Sequence, residues 1–470
     1  MQEEALPAQG EAEGGEYERE PVPENRTKGW KSFIGMYAGE HAAGTEFMIG
    51  PLFVAHGVSA FDVLVGLLVG NLLAVLSWTF LCAPIAVKKR LTLYFQLEKI
   101  CGVRLVELYN LANGVLFCFL AGAMISVSAT AVGIPFNMPM PGLNDMYPNS
   151  IGWIIAVFAV GAVISIVAAY GYDTVAHIAN IAAPWMVLVF LACGVAALPE
   201  LGIYSLGDFY AIAKEKVWTG VPVEGQSQFT FLHVMFFAWF CNLAMHIGMS
   251  DLSIFRFAKK ARMGLASGAG MYLGHYMAWI AAGLLYAIQL NADRTDTAVA
   301  PGPMAWKIAG MTGIICVIVA GWTTANPTIY RAGLAFQGIR PKWSRFKVTM
   351  AAGLVATLGA CFPALVMKLL DFVALYGLIL MPMGAIIFMD HYFSARFGLH
   401  EYYAEKARIV FNWAAGLTWF VTLALCVALN KFAGVEIFFL ALPGWFIAAI
   451  LYIALSKFYQ KSITLEGAVS

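Results

Sequence analysis

The chain has 470 residues, of which 60% are hydrophobic and 12% charged, with a formal net charge of +1. A soluble domain carries roughly a quarter charged residues, so the composition excludes one and points to helices that cross a bilayer. The near-neutral balance also argues against general affinity for nucleic acid.

Residues 1 to about 30 are acidic and rich in Glu, Gly and Pro. They lack the basic start and apolar core of a signal peptide, and a disordered cytoplasmic tail is expected there. Apolar runs near ~20 residues long then recur at about 31–57, 61–86, 105–133, 149–170, 173–198, 229–251, 263–290, 304–332, 347–367, 369–394, 409–430 and 435–457. The expected fold is an all-α integral membrane protein with about twelve transmembrane helices. The eight cysteines lie in or beside these runs without CxxC or CxxxC spacing, which suits small apolar packing residues rather than a metal cluster.

The first span, Phe33 to Val58, carries Glu40, His41 and Glu46 among Gly39, Gly44 and Gly50, with Pro51 behind. A charge at membrane depth costs a few kcal/mol or more, so these side chains should face protein or water. The glycines and proline predict an interrupted helix, whose freed backbone groups can bind an ion or solute where they line a cavity. The alternative is a buried Glu–His pair that only fixes packing. Glu46 could instead snorkel or pair with His56.

In the third span Asn113 and Phe117 are one turn apart. The sixth places His233, Trp239, Asn242, His246 and Asp251 on an apolar helix, with Trp239, Asn242 and His246 on one side if it is continuous. A flat ring beside an amide suits a planar, hydrogen-bonding solute, whereas a lone Trp fills core. Asp251 has Arg256 nearby as a structural partner. The eighth span reads GWTTANPTIYRAG, with Thr323, Thr324 and Asn326 before Pro327. Hydroxyls and carbonyls are hard oxygen ligands for an alkali ion, although threonines also bond the preceding helical turn. In the tenth span Pro382 and Gly384 predict a bend, as a gate hinge or a simple kink.

Lys and Arg concentrate in alternate connections, such as 88–104, 256–262 and 340–347, while 134–150 has none. This alternation fits an even span count with both termini cytoplasmic. Spans one to five (31–198) and six to ten (229–395) have similar lengths, and each set opens with a polar-interrupted span. Five is odd, so the second set enters from the opposite face as an inverted repeat, with the broken helices paired near mid-depth. Residues 396–470, with two further spans and the C-terminus, lie outside it.

Several stretches carry a resemblance: LVGLLVGNLLAVLSWTFLCAPIAVKKRLT, ANIAAPW (179–185), IFRFAKKAR (254–262), GWTTANPTIYRAGLAF (321–336), PMGAIIFMDHY (382–392) and NWAAG (412–416). In order and spacing the chain resembles the nucleobase:cation symporter family 1, the cytosine and purine permeases and hydantoin transporters. The resemblance implies a leucine-transporter-type five-plus-five inverted repeat with two extra helices, and alternating access between a bundle and a scaffold. It implies a cation held by Ala320, Thr323 and Thr324 with positions near Glu40 and Gly44. Phe117 stands where the family often has Trp, and Ala325 where an Asn commonly follows the two hydroxyl residues. Ala244 falls where some relatives have a stacking aromatic.

The expectation is a secondary transporter of the cytoplasmic membrane, importing a small nitrogenous heterocycle with sodium or a proton. Glu40, His41, Asn113, Phe117, Trp239, Asn242 and Asn326 would contact the solute, and Gly44, Ala320, Thr323 and Thr324 would serve the cation. Glu40 and His41 provide the proton-coupled alternative, for a cationic or other small metabolite, since histidine titrates near neutral pH. No covalent cofactor and no protein partner are implied. A channel would need a continuous polar stripe, and a hydrolase would need an HExxH-type site or a nucleophile with its base; neither pattern occurs in the sequence.

Overall fold

The interrupted first span sets the architecture. A computed structural model describes residues 16–142, 145–297, 299, 301–364 and 368–462. Helix α1 (Trp30–His41) stops at Ala42, and α2 (Glu46–Ala55) resumes after four residues that include Gly44. Helix α3 (Ala60–Ser77) runs through a π-helical turn, Trp78–Cys82, into α4 (Ala83–Lys89). The amphipathic α5 (Leu93–Cys101) leads to the long α6 (Val103–Val132), followed by α7 (Ile151–Ala169), α8 (Tyr172–Leu201) and the peripheral α9 (Leu206–Lys216).

The sixth span is broken more heavily. Helix α10 (Phe231–Phe240) ends in a turn at Cys241 and Asn242, and only single turns follow, α11 (Leu243–His246) and α12 (Leu252–Phe255). Met249, between them, has φ 61°, a left-handed conformation uncommon for a non-glycine residue. Asn242 and His246 are therefore not on one continuous helix with Trp239. A 3-10 turn (Ala261–Ala266) and a π-helical segment (Ala269–Tyr276) then enter α13 (Met277–Ala292).

Helix α14 (Pro301–Ile339) is bent out of helical geometry at Gly310, where φ is 55°. It is followed by α15 (Arg345–Ala360), α16 (Leu369–Phe393), the single turn α17 (Tyr403–Lys406), α18 (Trp413–Ala433) and α19 (Ile437–Ser462). Among the described residues nine helices are long and apolar enough to cross a membrane. The other three expected spans correspond to shorter pieces: α1 with α2, α10 with α11, and the 16-residue α15. A count of twelve thus takes each broken pair as one crossing.

Helix α14 packs along α6 and α8, and α15 against α6 and α7. Helix α1 lies on α8 and on the π-helical segment, α2 on α13, and α10 on α3. Contact between α1 and the π-helical segment needs small residues. A Cβ on Gly270 would sit 2.6 Å from His41 Nδ1, and one on Gly274 2.5 Å from the His41 carbonyl oxygen.

Residues 1–15 of the expected disordered tail lie outside the described residues, but 16–29 are packed against the Lys- and Arg-rich face. The Val22 amide donates to the Arg90 carbonyl at 3.0 Å, and Arg256 donates to the Tyr17 carbonyl at 2.7 Å. Glu16 accepts from the Tyr172 amide at 2.7 Å and from the Tyr330 hydroxyl at 2.8 Å. Acidic composition suggested disorder, yet the surrounding basic loops and carbonyls supply this segment with partners.

Candidate functional site

The two broken spans meet around an internal cavity of about 60 Å³. Glu40, His41, Thr45, Glu46 and Ile49 line it from the first span, and Cys241, Asn242, Ala244 and Met245 from the sixth. Leu120 and Met124 of α6, His275 of the π-helical segment, Thr324 and Thr328 of α14, and Tyr376 of α16 complete the wall. An interrupted helix exposes carbonyls at one stump and amides at the other, which is how an apolar span can present polar backbone at membrane depth.

The end of α1 illustrates this. Its last carbonyls have no helical partner, and α14 meets two of them. The Thr323 hydroxyl donates to the Gly39 carbonyl at 2.8 Å, and the Thr324 hydroxyl to the Glu40 carbonyl at 2.8 Å. Both hydroxyls also lie against the Ala320 carbonyl, at 3.2 and 2.9 Å. Five neutral oxygens from two helices thus converge at the negative end of a helix dipole, a donor set that fits a monovalent alkali ion. Met186 Sδ is 3.5 Å from the Thr323 hydroxyl. Gly44 packs against α14 nearer Val317 and Gly321, and the carbonyls that meet the threonines are those of Gly39 and Glu40. No group of three or more His, Cys, Asp or Glu able to hold a metal ion occurs among the described residues.

On the side of the cavity toward the basic face lies a buried charge cluster. Arg331, two turns beyond Thr324 on α14, donates to both Glu40 carboxylate oxygens at 2.5 and 3.2 Å and to Asp251 Oδ1 at 2.7 Å. Asp251 Oδ2 accepts from the Tyr37 hydroxyl at 2.5 Å and from the Trp78 indole at 2.7 Å. Arg331 and Asp251 are fully buried, and Glu40 is 6% exposed. Asp251 is therefore held by α14, α1 and the π turn after α3, whereas Arg256 turns to Tyr17, Ser253 and Tyr330.

Toward the other end of the cavity, Glu46 accepts a hydrogen bond from the Trp279 indole. His56 instead contacts the Ser227 carbonyl at 2.7 Å. The His275 ring stacks on Trp279 with centroids 4.3 Å apart and meets the His41 ring edge-on at 4.9 Å. His41 Nδ1 is 2.9 Å from the Tyr37 carbonyl, so Nδ1 carries the hydrogen that makes this bond. A row of three rings, His41, His275 and Trp279, thus leads to the Glu46 carboxyl.

Of the residues singled out in the sequence, Glu40, His41, Glu46, Asn242, Ala244 and Thr324 share the cavity wall. Thr323 and Ala320 lie beside it through the carbonyls described above. Asn113 donates to the Tyr94 hydroxyl at 3.1 Å, which in turn donates to the Arg331 carbonyl at 3.1 Å, so it is tied to the charge cluster and lies outside the lining. Phe117 is buried and edge-on to Tyr376 at 5.0 Å, behind the wall. Trp239 stacks on Phe240 and donates to the Ser77 hydroxyl at 3.0 Å, and its carbonyl lies 3.0 Å from His246 Nε2. Asn326 is buried outside the lining, and its amide atoms have no hydrogen-bond partner among the described residues. Sequence reading passed over Arg331, His275, Thr45, Thr328 and Tyr376. Arg331 carried a usable signal, a charged residue inside an apolar run. The others become visible only when helices distant in sequence are brought together.

No protein-family model matches the chain, and no curated protein matches it by sequence. Solved structures do match. The structure of Mhp1, a nucleobase-cation-symport-1 family transporter, in a closed conformation with bromovinylhydantoin bound, aligns with a TM-score of 0.69 at 17% identity, over 95% of this chain and 96% of that one. This chain has the leucine-transporter fold. A sodium-coupled sialic acid symporter in a substrate-bound outward-open state aligns at 0.64 with 14% identity, covering 94% of this chain and 90% of that one. MhsT in complex with L-phenylalanine aligns at 0.54 with 16% identity, covering 90% and 97%. The leucine-transporter fold of this chain is thus shared with transporters of chemically different solutes.

Proposed function

We propose that this protein is a cation-coupled symporter that imports a small nitrogenous heterocycle by alternating access, with its termini in the cytoplasm. The observation that carries the reading is the meeting of two broken helices at a polar cavity, with the Thr323 and Thr324 hydroxyls on the carbonyls of Gly39 and Glu40. A cation there would bridge α1 and α14. Binding would favour the conformation in which these helices are together, through its differential affinity for the two states.

The cavity wall offers carboxyl groups, imidazoles and the Asn242 amide, whose nitrogen has no partner among the described residues. That mixture suits a flat solute bearing both N–H and C=O groups. His41, Glu46 and Asn242 are the side chains assigned to the solute, while Glu40, its carboxylate held by Arg331, serves sodium through its carbonyl together with the Gly39 carbonyl, Ala320, Thr323 and Thr324. Asn113, Phe117 and Trp239 support the site from behind.

Proton coupling is the second reading, and Glu46 favours it, because this buried carboxyl reaches the cavity with an indole as its hydrogen-bond partner. Glu40 is engaged by Arg331, which moves the proton-carrying role toward Glu46. Uptake of labelled hydantoins, purines and pyrimidines into proteoliposomes, with sodium and pH gradients imposed separately, decides between the readings. Accumulation driven by sodium alone supports the first, accumulation driven by the proton gradient alone supports the second, and equilibration without a gradient contradicts both.

A further inference from the structure

We infer that the buried Glu40–Arg331–Asp251 cluster carries one surplus negative charge that sets the affinity for the coupling cation. The inference rests on the cation site proposed above. Two carboxylates share a single guanidinium, and all three groups are sequestered from solvent. The other contacts of Asp251 are neutral donors, the Tyr37 hydroxyl and the Trp78 indole. They disperse charge without cancelling it. A buried charge left without a counter-charge is strongly disfavoured, so a cation at a nearby set of oxygens is attracted.

Glu40 joins the two places. Its carboxylate is in the cluster, and its carbonyl accepts from Thr324 at the proposed cation site. Covalent geometry keeps these two ends of one residue within roughly 6 Å of each other. The imidazoles facing this region are His41, His246 and His275, all buried. His41 is joined to Tyr37 through Nδ1, and His246 to the Trp239 carbonyl through Nε2. The charge on the cluster and the occupancy of the oxygen site are thereby one linked equilibrium. Arg331 and Asp251 act as positioning residues that never touch the ion.

The test is a sodium titration of the purified protein, with choline chloride holding ionic strength, read as the thermal unfolding midpoint. Asp251→Asn removes the surplus and should raise the sodium concentration for half-maximal stabilisation roughly tenfold or more. Arg331→Gln doubles the surplus and should lower it by a similar factor. The Asp251→Asn/Arg331→Gln double variant restores the original net charge and should titrate close to the unaltered protein. A merely structural role predicts no opposite signs and no restoration. If Arg331→Gln does not fold, the other two variants still decide.

An Asp251→Asn titration that superimposes on the unaltered protein overturns the inference, as does a double variant that behaves like Asp251→Asn alone. Thr324→Ala separates this failure from failure of the underlying reading. A sodium response unchanged by Thr324→Ala would place the cation elsewhere. A response lost in Thr324→Ala but untouched by Asp251→Asn would overturn only the role of the cluster.

Discussion

Glu40 and Glu46 lie six residues apart in one span and face the same cavity, yet their surroundings differ. Glu40 closes a two-pronged ion pair with Arg331, across the contact between α1 and α14. Glu46 has no ion pair among the described residues and accepts from the Trp279 indole. The first belongs to a charge cluster that joins helices, and the second is a carboxyl kept beside open space. An acid at membrane depth can thus tie helices together or be left beside a cavity, according to whether a cation was built beside it.

Arg331→Ala leaves two buried carboxylates without a counter-charge, and breaking such a pair costs about 3–5 kcal/mol. It should appear as a marked fall in thermal unfolding temperature in detergent, and an unchanged temperature would show that the cluster is not cohesive. Glu46→Gln should do the reverse. The Gln carbonyl can still accept from Trp279, so stability should hold, while solute binding weakens roughly 3- to 10-fold through loss of a carboxyl hydrogen bond. Calorimetric titration with a solute identified by uptake checks this, and unchanged affinity would remove Glu46 from recognition.

Thr324→Ala ranks next. It removes a hydroxyl shared between the Glu40 and Ala320 carbonyls, costing about 1 kcal/mol of stability, and it should raise the sodium concentration needed for half-maximal uptake. The smallest effect lies far from the cavity. Burial pushes the Glu401 carboxyl up, but hydrogen bonds from Lys89 and His391 outweigh it and hold the group below the usual range. Its ionised form is favoured in the folded protein, so its contribution is present above a glutamate's ordinary value of about 4.3. That contribution is lost as pH falls through the lowered value. Glu401→Gln should flatten this acid-side loss, an effect on the order of 1 kcal/mol or less for such a partly exposed pair, seen in unfolding temperature between neutral and acid pH.

The broken first span was legible because glycines, a proline and charged residues interrupt an apolar run, and each has a local physical meaning. Thr323 and Thr324 were legible as a hydroxyl pair, although only the fold shows which carbonyls they meet. Trp239 and Phe117 were attractive as flat rings for a solute. The structure sets Trp239 against Phe240 and Ser77, where α10 stops, and leaves Phe117, on the unbroken α6, behind Tyr376 of α16. Arg256, five residues after Asp251, was the nearest cation in sequence, whereas its partner Arg331 lies 80 residues away. Such a pairing has no local signature and follows from packing α14 across both broken spans.

Sodium-coupled binding of a heterocycle is open to measurement as the unfolding temperature of the purified protein against purines, pyrimidines, hydantoins and vitamin precursors, each in sodium and in choline. It predicts that at least one heterocycle stabilises the protein in sodium far more than in choline, and that Thr324→Ala erases the difference. Stabilisation by a heterocycle to the same extent in both salts, and equally in Thr324→Ala, would contradict it.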